Sequence, residues 1–263
     1  MTVEIKLSKP TRDIDLSVII PCFNEAANLE AGVLDEVAAY LDSQGFSWEV
    51  IIVDDESTDN SLALCKQFAE GHSNFRVIQA PHGGKPHALY VGLVEAESRL
   101  VLFTDMDQST PIHELEKLKA WFEHGFDVVI GSRGNQRAGF SPIRQITSWG
   151  FRNLRRMILL SEIMDTQCGF KMLKTEAARE IFPKLSFLKS KKEQSGWMVS
   201  AYDVELLYLA RLSGYRIKEV EVAWSHNDKS VTKGNDRKRF LKESLEMGKE
   251  VLTIIGNKVS GKY

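Results

Sequence analysis

The chain reads as an α/β protein built on a doubly wound, mainly parallel sheet with helices on both faces. Three observations predict it. Short apolar runs bounded by turn residues (LSVII, WEVIIV, LVLF and DVVIG) suit strands buried on both faces. Segments of helical period lie between them, so strand and helix alternate four times or more across residues 16–131. The 263 residues are ample for one large domain of this kind and marginal for two.

The elements follow in chain order. Residues 1–15 are polar and read as a loose arm. Leu16 to Ile20 is the first strand, ended by Pro21. Leu29, Val33, Val37 and Leu41 recur at helical spacing, and Gly45 supplies the stop. Trp48 to Val53 is the second strand, with Asp54, Asp55, Glu56, Ser57, Thr58 and Asp59 crowding its end. Asp59 suits the cap of a helix over 60–70, which leads to a short strand over 76–79. The loop PHGGKPHA opens a helix over 87–96. Leu100 to Phe103 is the next buried strand, stopped by the polar run that follows. A helix over 112–124 and a strand over 127–131 complete this half.

The pattern then changes. Residues 128–161 hold six arginines (Arg133, Arg137, Arg144, Arg152, Arg155 and Arg156) and neither Asp nor Glu. Ile143, Ile146, Gly150, Leu154 and Met157 share one helical face, with most of the arginines on another. Such a basic amphipathic segment suits a membrane surface or a phosphate-bearing partner, or equally a solvated helix packed on the domain. DTQCGFKM at 165–172 is a loop entering a short strand, and 174–182 is helical. Residues 183–197 read as a loop, 203–212 as a helix ended by Gly214, and IKEVEVAW at 217–224 as a half-exposed strand. A final amphipathic helix runs over about 240–255, within a C-terminal stretch of 236–263.

Composition narrows the partners. A net charge of −2 argues against a general nucleic-acid binder. No run of 18 uncharged apolar residues is present, and the first 15 residues lack an apolar signal core, so the cytoplasm is the expected location. Cys22, Cys65 and Cys168 have no metal-type spacing and read as buried thiols.

The chemistry gathers at predicted strand ends. Asp105 and Asp107 follow the strand LVLF, where open α/β sheets bind ligands. Hard carboxylate oxygens there suit Mg²⁺ or Mn²⁺ carrying a diphosphate. On its own the pair more simply caps a helix beginning near Pro111. Asn24 with Glu25, Asp54 with Asp55, Lys85 and Arg133 fall at the same edge. Lys85 follows Gly83 and Gly84, which suits either a diphosphate or an ordinary turn.

In order, SVIIPCFNE, VIIVDDESTDNS, HGGKPHAL, FTDMDQSTP and VIGSR resemble the family 2 glycosyltransferases of the nucleotide-sugar-binding, Rossmann-like GT-A type. DTQCGFKM and AYDVELLYLARLSGYRIKEVEVAW resemble the polyprenyl-phosphate branch, particularly dolichyl-phosphate β-glucosyltransferases. The resemblance covers 16–235, divided into a nucleotide-sugar half (16–131) and an acceptor half (132–235). It implies that Pro21 to Glu25, Asp54 and Asp55 hold base and ribose. Asp105 faces ribose or sugar, Asp107 ligates the metal, and Arg133 lies near the phosphates. Asp165 is an active-site acid, and Arg144 with Ser148 receives the acceptor phosphate.

Two departures stand out. Mannosyl-transferring relatives place Gln where this chain has Ser109, which weakens a mannosyl assignment and puts the metal's third protein ligand in doubt. The S-K pair of many relatives is replaced by DKSVTKG, leaving Lys229 and Lys233 as alternatives. The expected reaction is an inverting hexose transfer to a polyprenyl phosphate at the cytoplasmic membrane face, with UDP-glucose favoured over GDP-mannose as donor. A soluble or glycan acceptor, or a non-catalytic nucleotide-sugar binder, are the competing readings. Asp203 and Glu205 are further acid/base candidates, although Glu205 suits a structural role as well.

Overall fold

The computed structural model describes residues 14–134, 160, 162–189, 202–225, 229, 252–258 and 260–261. The described strands form one sheet in the order β3-β2-β1-β4-β6-β5-β7. They are β1 Ile14–Cys22, β2 Trp48–Asp54, β3 Phe75–Gln79, β4 Ser98–Phe103, β5 Val128–Ser132, β6 Lys171–Lys174 and β7 Ile217–Glu221. Every pairing is parallel except those of β6, which runs antiparallel to both β4 and β5. The mainly parallel mixed sheet expected from the alternation is therefore present.

The helices are α1 Ala26–Glu30, α2 Val33–Asp42, α3 Ser61–Glu70, α4 Lys85–Glu95, α5 Leu115–Glu123, α6 Thr175–Ile181, α7 Ser186–Lys189 and α8 Tyr202–Leu212. Side chains alternate across a pleated strand, and here both sets are buried. Ile19, Ile51, Val53, Val101, Phe103 and Ile130 pack with residues of α4, α6 and α8 on one face. Val18, Ile20, Val50, Ile52, Leu102 and Val129 pack with residues of α2, α3 and α5 on the other. Each fully buried aliphatic side chain there is worth about 1.5–3 kcal/mol. That is why the strands read as continuous apolar runs.

Helix α4 lies unusually near β1. A Cβ on Gly92 would stand 2.5 Å from Ile19 Cγ2. Any larger residue forces α4 or the Ile19 side chain to shift, and Lys85 stands at the first turn of that helix. Local packing thereby sets the place of a site residue.

Several expectations change. The arm is shorter than predicted, because Ile14 and Asp15 already belong to β1: Ile14 pairs with Ser98, and Asp15 N–H donates to Ser47 O at 3.1 Å. Pro21 does not end β1, which continues to Cys22. Ile19 O accepts from Thr104 N–H toward β4, whereas Cys22 O accepts from Asp55 N–H toward β2. Pro21 therefore turns its donor-less nitrogen toward β4, beyond the last registered pair Ile19–Phe103, where no ladder bond is lost. The first helix is split at Gly32, whose φ of 84° only glycine adopts freely. Helix α7 interrupts the loop expected over 183–197.

Residues 252–258 are helical, and Ile254 is buried in the cluster that includes α8. The rest of the expected C-terminal helix, and the arginine-rich segment from 135 to 159, lie outside the described residues. All three cysteines are free and buried, as expected. Among the described residues no helix is long and apolar enough to cross a membrane.

Candidate active site

The carboxyl ends of β1, β2, β4 and β5 share one edge of the sheet. Because β6 runs the other way, its first residue, Lys171, arrives there too, in register with Phe103 and Ile130.

The β1–β2 end is a web of short polar contacts. Asn24, in the left-handed region at φ 56°, accepts at Oδ1 from the Thr58 N–H at 2.8 Å. The Glu25 N–H donates to Ser61 Oγ at 2.7 Å, and its carboxylate accepts from Asn28. Asp59 accepts from the N–H and the hydroxyl of Ser61, the first residue of α3, but it does not cap the helix: the cap position is Asn60, which makes no side-chain cap bond. Asp54 is buried. Its Oδ2 accepts from the Ser57 N–H at 3.2 Å, while Oδ1 has no hydrogen-bond partner among the described residues. An orphaned buried acceptor is costly, and a ligand N–H relieves it.

Asp55 corrects one reading of the glycine loop. The Gly83 and Gly84 N–H groups donate to its two carboxylate oxygens at 2.8 and 2.9 Å, and His82 Nδ1 lies 2.9 Å away. These amides do not cradle a diphosphate. They hold the loop onto β2 and aim Lys85. Burial raises the Asp55 pKa above its ordinary value against the pull of Gly83, His82 and Gly84.

Asp105 and Asp107 stand on a tight turn. The Asp105 carbonyl accepts from both the backbone and the side chain of Gln108, which has φ 47°. Asp107 Oδ1 accepts from the Ser109 N–H at 2.9 Å. Met106 between them is buried, so it anchors the turn in the core while the carboxylates stay at the edge. Lys85 Nζ bonds Asp105 Oδ1. Burial opposes the charge of each partner, but their mutual attraction outweighs it. Asp105 titrates below its usual value, helped by Lys171 and Arg133, and Lys85 above its own.

The loop 165–170 brings in the second half. Arg133 forks onto Asp165, with Nε to Oδ2 at 2.7 Å and Nη2 to Oδ1 at 2.8 Å. Glu219 of β7 accepts the N–H groups of Met164 and Asp165, both at 2.7 Å, and so fixes the start of that loop. Gly169 lies against Asp105. A Cβ there would fall on Asp105 Oδ2, inside the 3.0 Å that real Cβ atoms keep. Lys171 Nζ, buried, bonds Asp203 Oδ1 at 2.5 Å and the Cys168 carbonyl. Burial, with Asp203 and Asp105 nearby, pushes the Tyr202 phenol well above its ordinary pKa.

Sequence reasoning missed Lys171 and Gly169. A lysine between Phe170 and Met172 in an apolar strand was the available signal, since a buried ammonium demands a partner. Glu205 turns out to be structural: it accepts the Ser186 N–H and Oγ–H at 2.9 and 2.5 Å, at the start of α7. Asp203 faces the site instead.

Of the acceptor residues, Arg144, Ser148 and Lys233 lie outside the described residues. Lys229 is described. Its N–H donates to Asn28 Oδ1 at 3.0 Å, and it lines a cavity of about 620 Å³ together with Asp107, Tyr40 and His113.

Among the described residues no group of three or more His, Cys, Asp or Glu side chains converges as a metal cage. Mg²⁺ and Mn²⁺ do not require one, because they bind through one or two carboxylates, water and substrate phosphates. Asp107, at the rim of that cavity, and Asp105 two residues before it fit such an ion with its diphosphate.

A family model described as "Glycosyl transferase family 2" matches residues 17–182. The chain belongs to this family. The dolichyl-phosphate beta-glucosyltransferase of Saccharomyces cerevisiae is 31% identical over 92% of this chain and 74% of its own length. One from Trichomonas vaginalis is 31% identical over 81% of this chain, which spans 64% of that relative's length. The fold matches glucosyl-3-phosphoglycerate synthase from Mycobacterium tuberculosis, solved with Mn²⁺, UDP and glucosyl-3-phosphoglycerate. Its TM-score is 0.64 at 20% identity, covering 92% of this chain and 80% of that one. This family 2 glycosyltransferase thus has the GT-A fold its motifs predicted.

Proposed function

We propose that the protein transfers glucose from UDP-glucose to a polyprenyl phosphate of the dolichyl type, with inversion, at the cytoplasmic face of a membrane. The observation that carries this reading is the likeness to dolichyl-phosphate beta-glucosyltransferases along nearly the whole chain. The acid-free, arginine-rich stretch of 128–161 gives it chemical sense, since it can meet both an anionic surface and a phosphate.

The division of labour follows from the chain's own groups. Asp54, with an unpaired buried oxygen, and Asn24, Glu25 and Pro21 around it, bind the nucleoside. Asp107 would hold the divalent ion, which supplies Lewis-acid charge to the leaving diphosphate when bound, while Asp105 faces the ribose or sugar. Arg133 spends part of its five-donor fork on Asp165 and keeps donors for a phosphate oxygen. Lys85 adds a second cation at the same edge.

The acceptor is a phosphate monoester with a second pKa of about 6, so it is already nucleophilic at neutral pH. It needs placement and charge screening rather than a strong base. Arg144, Ser148 and either Lys229 or Lys233 supply these. Lys229 shares a cavity with Asp107, which supports its place at the site.

The deciding experiment is a donor panel with Mg²⁺ or Mn²⁺, with and without polyprenyl phosphate. Glucolipid made only from UDP-glucose and only with the lipid supports the reading. Equal transfer to a soluble acceptor in the absence of lipid overturns it.

A further inference from the structure

Lys171 is 1% exposed, and nothing in the transfer step above uses it. An unpaired buried ammonium is costly, so its partners define its role. Nζ bonds Asp203 Oδ1 at 2.5 Å and the Cys168 carbonyl, tying the first residue of β6 to α8 and to the 165–170 loop. That loop touches the reacting edge twice. Asp165, at its start, forks onto Arg133. Gly169, next after Cys168, leaves room for Oδ2 of Asp105 where any Cβ would fall on it, and Lys85 holds Oδ1. The Asp105 carboxylate therefore sits between an ammonium and a wedge-shaped space that only a glycine at 169 leaves open. Any shift of Cys168 moves that space.

We propose that the buried Lys171–Asp203 pair is a positioning device. Through the 165–170 loop it sets Asp105 and Arg133 at their working separation, with Gly169 as its point of contact on Asp105. Lys171 touches neither donor nor acceptor in this scheme. It acts through the loop alone. A pair serving stability only behaves differently, because two neutral residues of similar volume often replace a buried ion pair without loss.

The test uses that difference. Lys171→Met alone leaves Asp203 without its cation and lowers Tm. Lys171→Met combined with Asp203→Asn removes both charges at similar volume and recovers most of that Tm. The expected result is a kcat still at least about tenfold below native, as misplacement of reacting groups gives. Affinity for metal-free UDP stays near native, because Asp54 and Asp55 stand outside the network. A double variant that recovers Tm and kcat together overturns the proposal. Gly169→Ala is the second probe, since it leaves the pair intact and drives a Cβ onto Asp105. It should weaken Mn²⁺-dependent UDP-glucose binding and lower kcat in parallel; native values for both overturn the proposal even if the double variant fails to fold. The kcat comparison rests on the transferase reading, with native turnover on the same donor as reference. The binding arm needs UDP-glucose only as a ligand, so a native protein that binds it with Mn²⁺ but transfers nothing counts against that reading alone.

Discussion

Arg133 and Asp165 meet fork to fork, and the Arg133 backbone N–H adds a third bond to the same carboxylate at 3.1 Å. The acid is thereby committed to orientation rather than to proton transfer. Burial alone weakens the guanidinium's hold on its charge, yet Asp165 outweighs it and keeps Arg133 above its ordinary pKa.

Arg133→Lys keeps the charge and loses the planar fork. Losing one charge-assisted bond costs about 1.5–3 kcal/mol, or roughly 10- to 100-fold in rate if it is felt in the transition state. Steady-state kcat with saturating donor checks this, and a lysine variant at native rate would show that the fork is dispensable.

Asp107→Ala should abolish Mn²⁺-dependent donor binding and transfer while leaving the fold intact, since the bond its carboxylate accepts from the Ser109 N–H lies within its own turn. Titration calorimetry with and without Mn²⁺, beside a thermal melt, separates the two. Metal-enhanced binding that survives the substitution would remove Asp107 as ligand.

Asp55→Asn places an amide N–H₂ against one of the two glycine N–H groups that Asp55 now accepts. An unsatisfied buried donor costs about 1–3 kcal/mol, so Tm should fall and the Lys85 loop should exchange amide hydrogens faster. Unchanged protection at Gly83 and Gly84 would contradict this.

Asp127 predicts a pH dependence. Burial raises its pKa, but Lys174 Nζ at 2.8 Å and the Arg216 N–H at 2.9 Å outweigh this and hold it below the ordinary value. A depressed carboxyl contributes stability that is fully present above its unfolded pKa of about 3.9 and lost as pH falls through the folded value. The Tm gap between native protein and Asp127→Asn should close below about pH 3.9. A gap independent of pH would refute the assignment.

Arg144→Ala and Lys229→Ala should each raise the KM for polyprenyl phosphate far more than the KM for donor. Parallel rises in both constants would place these residues outside acceptor binding.

Much of the fold was legible because β1, β2, β4 and β5 are buried on both faces, so Ile19 and Ile20 alike had to be apolar. Antiparallel β6 was not, since KMLK is too short for a periodicity to announce its direction. Asp54, Asp105 and Asp107 were visible as carboxylates at strand ends. What Gly83 and Gly84 donate to was hidden, because a backbone N–H finds its acceptor across 28 and 29 residues of chain. The role of Glu205 stayed open between acid/base chemistry and structure for the same reason: its partner, Ser186, begins a helix too brief to show in the pattern.

Strand β6 lies between β4 and β5, which never pair directly. During synthesis β5 therefore leaves the ribosome with no sheet neighbour, and its carbonyls and amides wait for residues 171–174, some 40 positions later. A chain arrested before β6 would display an open sheet edge of the kind that templates aggregation, so the nucleotide-binding half should not be separable as a stable fragment.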